Sequence, residues 1–164
     1  MIYQTITHPL PTKQRSEEDI VKWDMRYLDL CDLVASWSKD PSSKFGAVIV
    51  DSRNSVVSVG YNGFAAGFKD KDKRLNDRQF KYRHVVHAEC NAILNARTNL
   101  TGCKIYVQMC PCSNCMSSIV QAGINTVICR APSEDYLSRW SVDEPVQVAK
   151  ECGVTLIEYS NKGE

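Results

Sequence analysis

Two short stretches constrain this chain more than anything else in it: His87-Ala88-Glu89, and Pro111-Cys112-Ser113-Asn114-Cys115. The first sets a histidine two residues before a glutamate. The second sets two cysteines three apart, a spacing that puts both sulfurs on one face at the start of a helix. If the two stretches serve one site, the fold must bring two helix starts together, where the positive dipole ends favour a thiolate or a hydroxide. Histidine nitrogen and cysteine sulfur are donors suited to Zn²⁺. A structural zinc site takes four protein ligands, whereas a catalytic one takes three and keeps a position open for water. One His and two Cys make three, and Glu89 then stands beside the metal as a proton carrier.

Each piece has a plainer reading. A lone C-x-x-C marks a structural zinc knuckle or a redox pair, and a lone His is often a hydrogen-bonded core residue. Cys110, two residues before Cys112, offers an alternative fourth ligand; otherwise it lines the site wall. Of the eight cysteines, Cys31, Cys90, Cys103, Cys129 and Cys152 fall in expected helices, strands or their edges, where small core hydrophobes account for them. So many cysteines in a reducing compartment point to metal or catalysis before disulfides.

The 164 residues suit one domain, read here as an N-terminal arm over 1–15 and a single domain over 16–164. No apolar run is long enough for a membrane helix, and the N-terminus lacks a signal-peptide core, so a cytoplasmic location is expected. The net charge of +1 carries no strong basic footprint for nucleic acid. One segment, Lys69 to Arg83, holds seven Lys/Arg against three Asp. It reads as a solvated loop, with a site for an anionic ligand as the alternative.

Ser16 opens an S-x-x-D cap, and Ile20, Trp23, Tyr27, Leu30, Val34 and Trp37 recur at helical spacing. Gly46 to Asp51 reads as a strand buried on both faces and Val56 to Tyr61 as its returning partner. A helix beginning near His87 follows, then a strand over Lys104–Met109 and a helix over Ser113–Gln121. Next come a strand over Thr126–Cys129, a helix over Val142–Glu151 and a strand over Val154–Tyr159. The order α-β-β-α-β-α-β-α-β implies an α/β fold with a partly parallel sheet between helices.

His87-x-Glu89 with Pro111-Cys112-x-x-Cys115 resembles the signature of the zinc-dependent nucleotide and nucleobase deaminases. SKDPSSKFGAVIV at Ser38–Val50, GYNG at Gly60–Gly63, HAExNAI at His87–Ile93 and QAGI at Gln121–Ile124 narrow the likeness to the deoxycytidylate (dCMP) deaminases, over roughly residues 20–160. The resemblance implies a three-layer α/β/α fold on a five-stranded mixed sheet. It implies one Zn²⁺ per chain on His87, Cys112 and Cys115, with Glu89 moving protons while dCMP becomes dUMP for thymidylate synthesis. Ala88 N–H would hold the base carbonyl and Asn62 the sugar. Lys39 and Lys44 would take the 5′-phosphate, unless they are solvated loop lysines, and Tyr136 or Trp140 would cap the pocket.

The resemblance further implies a homo-oligomer, commonly a hexamer, activated by dCTP and inhibited by dTTP, with Mg²⁺ as an optional companion of their phosphates. The effector site would include Gly63, Phe64, Lys69 and Asn91. No nucleic-acid or membrane partner is implied, and the location would be cytoplasmic, the host's if the chain is viral. Departures from the family text sit at Cys90, Cys110 and Phe64–Phe68. Asp40 stands where members with a second zinc carry Cys, so no second zinc is expected. Another cytosine or purine substrate on the same fold is the alternative, as is a non-catalytic zinc module, which would have no use for Glu89.

Overall fold

A computed structural model describes residues 15–160. The expected arm over 1–15 therefore lies, but for Arg15, outside the described residues. Helix α1 (Glu17–Ala35) leads into the antiparallel pair β1 (Gly46–Val50) and β2 (Val56–Tyr61). A two-residue strand β3 (Gly63–Phe64) and two short helices, α2 (Asp72–Asn76) and α3 (Arg78–His84), come next. Strand β4 (Val85–Val86) and helix α4 (Ala88–Asn95) follow, then β5 (Lys104–Val107) and α5 (Ser113–Gln121). The chain continues through β6 (Thr126–Arg130), α6 (Glu134–Arg139), α7 (Asp143–Glu151) and β7 (Thr155–Tyr159).

Five strands form one mixed sheet in the order β2-β1-β5-β6-β7. β1 is antiparallel to both β2 and β5, whereas β5, β6 and β7 run parallel. Period-2 alternation splits the central strands between two cores. Ala47, Ile49, Ile105, Val107, Val127 and Cys129 face the layer of α4, α5 and α7. Val48, Val50, Tyr106 and Ile128 face α1. All five residues of β1 are buried, as its continuous apolar run predicts. The fold is α/β with helices on both faces, as expected. Among the described residues, no helix is long and apolar enough to cross a membrane.

The cap of α1 forms as expected: Asp19 N–H donates to Ser16 Oγ at 3.2 Å, and Glu17, Glu18 and Asp19 fill the first turn, where the helix dipole favours them. Its buried face is rotated from the expected stripe. Tyr27 and Val34 point inward, but Leu28, Cys31, Ala35 and Asp24 complete the buried line, while Ile20 and Trp37 are 40% and 50% exposed. The physical reason is Asp24, a charged residue that no apolar stripe would include. Tyr106 Oη and Tyr159 Oη donate to it at 2.8 and 2.7 Å, so its burial is satisfied. Trp37 lies beyond the helix end and meets Tyr61 edge-on.

The charged segment is not a solvated loop. It folds into α2 and α3 around an aromatic stack of Phe64, Phe68, Phe80 and His84, with the Arg74 guanidinium over Phe68 and Phe80. Asp77 caps α3 by accepting from Phe80 N–H. One of the seven cations is buried: Lys81 Nζ donates to Asp40 Oδ1 at 2.9 Å, with the two side chains 9% and 6% exposed. Asp40 also accepts from the N–H groups of Ser42 and Ser43, so the ion pair ties α3 to the loop that enters β1. Helix α6 was not expected either; its cap is Ser133, whose hydroxyl accepts from Tyr136 N–H.

Candidate metal centre and active site

His87 and Cys112 both occupy N-cap positions, His87 on α4 and Cys112 on α5, each with extended backbone angles. Neither side chain caps its own helix, which leaves ring nitrogen and sulfur available for another partner. Cys115 lies one turn into α5 and is buried. The two helix starts converge as the spacing of the motifs implied.

Helix α4 is seated by small contacts with β2. A Cβ on Gly60 would lie 2.3 Å from both Ala88 O and Ala92 N, so only glycine permits the helix to come this close. Ser58 Oγ donates to Ala92 O at 2.8 Å and Asn91 Nδ2 to Tyr61 O at 2.7 Å. At the start of α5, Ser113 Oγ donates to Glu144 Oε2 on α7 at 3.0 Å.

The donor atoms of His87, Cys112 and Cys115 lie within 4.8 Å of one another. His87 Nδ1 is 3.6 Å from Cys112 Sγ and 3.4 Å from Cys115 Sγ. A zinc ion with ordinary Zn–N and Zn–S lengths and tetrahedral angles requires N···S separations of about 3.5 Å. The donor set and its dimensions therefore fit zinc with three protein ligands. Cys110 is outside that group, buried in the core beneath α4 and α5, and burial pushes its thiol up to about 11. Glu89 is also outside the group, half-buried one position along α4, and burial raises its carboxyl above the usual range.

Hydrogen bonds from Cys115 and His87 bring the Cys112 thiol down to about 4, and the contact with Cys112 raises His87 to about 9. Contacts with Cys112 and Cys90, together with burial, raise the Cys115 thiol. Thiolate character thus concentrates where a cation would sit.

The other expected site residues fall around this centre unevenly. Ala88 is buried in the first turn of α4, where a helix N–H has no intrahelical acceptor. Asn62 is buried and works on the loop: its Oδ1 accepts from Phe45 N–H at 2.8 Å and its Nδ2 donates to Ser43 O at 2.9 Å. One lone pair and one N–H of that amide remain for a ligand. Lys44 is exposed on the same loop. Lys39, 71% exposed, is paired with Asp70 at 2.8 Å. Tyr136 on α6 is half-buried; burial raises its hydroxyl, with Cys110, Glu89 and Cys112 near enough to raise it further. Trp140, at the end of α6, is largely exposed.

Of the expected effector residues, Gly63 and Phe64 form β3, paired with Val86 and Val85, so β3 lies directly beside the approach to His87. Asn91 holds Tyr61, and Lys69 O accepts from Arg74. Two features escaped the sequence. The Asp40–Lys81 pair joins residues 41 positions apart, which no local pattern signals. Cys90, expected as a core residue, is half-buried with its sulfur 3.9 Å from that of Cys115; its only signal was its departure from the motif. Cys152 is exposed rather than core.

Comparison with known proteins agrees with this geometry. Residues 21–131 match the family model described as the cytidine and deoxycytidylate deaminase zinc-binding region. The chain is 46% identical over 132 residues to a deaminase from the luxG 3′ region of Aliivibrio fischeri, covering 80% of this chain and 87% of that protein. It is 40% identical over 120 residues to the deoxycytidylate deaminase of Homo sapiens, covering 70% of this chain and 67% of that one. Among solved structures, the dCMP deaminase of cyanophage S-TIM5 in complex with dCMP and dUMP superposes with a TM-score of 0.65. It is 23% identical and covers 88% of this chain and 99% of its own, a likeness in fold. A chain with this match over most of its length is an enzyme of the cytidine and deoxycytidylate deaminase family.

Proposed function

We propose that this enzyme hydrolyses dCMP to dUMP and ammonia, with His87, Cys112 and Cys115 as its zinc ligands and Glu89 as its proton carrier. The observation that carries the reading is the convergence of three donors at zinc-fitting separations with one recessed carboxylate outside the ligand group. A zinc ion held there supplies a water acidic enough to be a nucleophile near neutral pH. With the metal bound, Glu89 would take up the proton that the attacking water gives up and deliver it to N3 of the cytosine ring as C4 is attacked. Glu89 then takes up the proton left on the new C4 hydroxyl and passes it to the departing amine, so its carboxylate is regenerated when ammonia leaves. Ala88 N–H, at the head of α4, donates to the base carbonyl, and Tyr136 closes over the ring. Asn62 orients the sugar with its remaining N–H. Lys44, joined by Lys39, meets the 5′-phosphate.

Relatives named deoxycytidylate deaminase support dCMP as the substrate. By the same reading dCTP activates and dTTP inhibits, with or without Mg²⁺, through Gly63, Phe64, Lys69 and Asn91 in a hexameric, cytoplasmic enzyme. The contact of Asn91 with Tyr61, next to Asn62, and the pairing of β3 with β4, next to His87, support that coupling.

A deamination panel tests the proposal: dCMP, CMP, deoxycytidine and a structured RNA, each with and without dCTP and dTTP. The expected outcome is preference for dCMP and opposite responses to the two triphosphates. Equal turnover of deoxycytidine would remove the phosphate assignment, and turnover of the RNA alone would replace the substrate. A rate indifferent to both triphosphates would end the regulatory assignment.

A further inference from the structure

Cys90 is a sulfur beside the metal group that the proposed chemistry does not use. It lies on α4, three residues after His87, and its Sγ is 3.9 Å from Cys115 Sγ on α5. It is absent from the set of mutually close donors, so it lies beside that group rather than in it. Its only other polar neighbour among the described residues is Ser118 Oγ, also at 3.9 Å. Ser118 in turn lines an open cleft of about 530 Å³ between α4 and α5, wide enough for water and small solutes.

We infer that Cys90 and Cys115 form an oxidisable thiol pair: hydrogen peroxide joins them in a disulfide, removes one sulfur donor from the metal group and releases the ion. The inference rests on His87, Cys112 and Cys115 being the zinc ligands. A disulfide needs its sulfurs at about 2.05 Å, so from 3.9 Å the pair must close by roughly 2 Å.

Access sets the order of events. Cys115 is 1% exposed, and its sulfur is committed to the metal, whereas Cys90 is half-buried beside the cleft and holds no metal. Peroxide therefore meets Cys90 first: the sulfur attacks the O–O bond, becomes a sulfenic acid and releases one water. The Cys115 sulfur then attacks that sulfenic sulfur, the S–O bond breaks, and the departing oxygen leaves as a second water after taking up a proton. Two electrons leave the sulfurs and two reduce the peroxide. A dithiol reverses the sequence, after which the zinc site can be refilled.

The test treats the zinc-loaded full chain with hydrogen peroxide. It follows metal release with a chromogenic chelator and maps disulfide-linked peptides by mass spectrometry without reduction. Wild type is expected to yield a Cys90–Cys115 peptide and to release its zinc in step. Cys90→Leu and Cys90→Ser, one apolar and one polar replacement, are expected to release zinc at least tenfold more slowly. Equal release from both variants, or a map joining Cys112 to Cys115 instead, overturns the inference. If the untreated protein carries no zinc, the ligand assignment fails instead, and the peptide map of the metal-free chain decides the pair by itself.

Discussion

Glu89 sits one position along α4 from Ala88 and two from His87, so on the proposed reading the backbone that supplies a metal donor would also set the carboxylate beside the ion. Its burial matters because a carboxyl held above its usual range is a better proton acceptor in a reaction that must also return the proton. Glu89→Gln keeps shape and one hydrogen-bonding face while losing the ability to carry a proton. Its kcat is expected to fall by about 10²–10⁴, with zinc content by atomic absorption unchanged. A variant with full activity would return the centre to a structural role. Cys110 teaches the opposite lesson. It is as close to Cys112 in sequence as Glu89 is to His87, yet Pro111 and the end of β5 turn it into the core.

Among the elements, the short helices α2 and α3 were hidden by their charge. Seven cations in fifteen residues read as solvent-facing, but Lys81 is drawn inward by Asp40. Burial alone would raise the Asp40 carboxyl; the Lys81 ammonium and the Ser42 and Ser43 N–H groups outweigh it and hold the carboxyl below its usual range. A lowered folded-state value contributes stability above the unfolded value, about 3.9, and loses it as pH falls through the folded value. Lys81→Met leaves a buried carboxylate without its cation and is expected to cost about 3–5 kcal/mol in urea unfolding. Adding Asp40→Asn should recover most of that loss, because the uncompensated charge is gone. The difference between wild type and the double variant should shrink below about pH 4. Equal stability of Lys81→Met and wild type at pH 7 would mean the pair holds nothing.

For the whole molecule, the His87, Cys112 and Cys115 donor group brings α4 and α5 together in the layer that packs on one face of the sheet, so a metal bound there would join them. A ligand bound only by the folded state adds about 4 kcal/mol at a thousandfold excess over its dissociation constant. With roughly 2–4 °C per kcal/mol for a chain of this size, removing zinc with a chelator should lower Tm by on the order of 10 °C. Added zinc should restore it. An unchanged Tm after verified metal removal would mean that the two helix starts are held by packing alone.

The order of the main elements and the grouping of His87, Cys112 and Cys115 were legible because each depends on local rules. Apolar period separates strands from helices, and a C-x-x-C at a helix start places two sulfurs together whatever surrounds it. Gly60 and Gly46 in the GYNG and GAVIV stretches also had a local trace, yet their reason is tertiary: a Cβ would strike α4 in one case and Cys31 O on α1 in the other. The rotated face of α1 was not legible, since burying Asp24 depends on tyrosines 82 and 135 residues away. Nor was the approach of Cys90 to Cys115, which depends on how two helices dock. The chain by itself determined which atoms could hold a metal and which carboxylate could move a proton. Only the tertiary structure decided which charges would be buried and which third sulfur would stand beside the donor group, because a buried group's partners are chosen by packing across the fold and not by its neighbours along the chain.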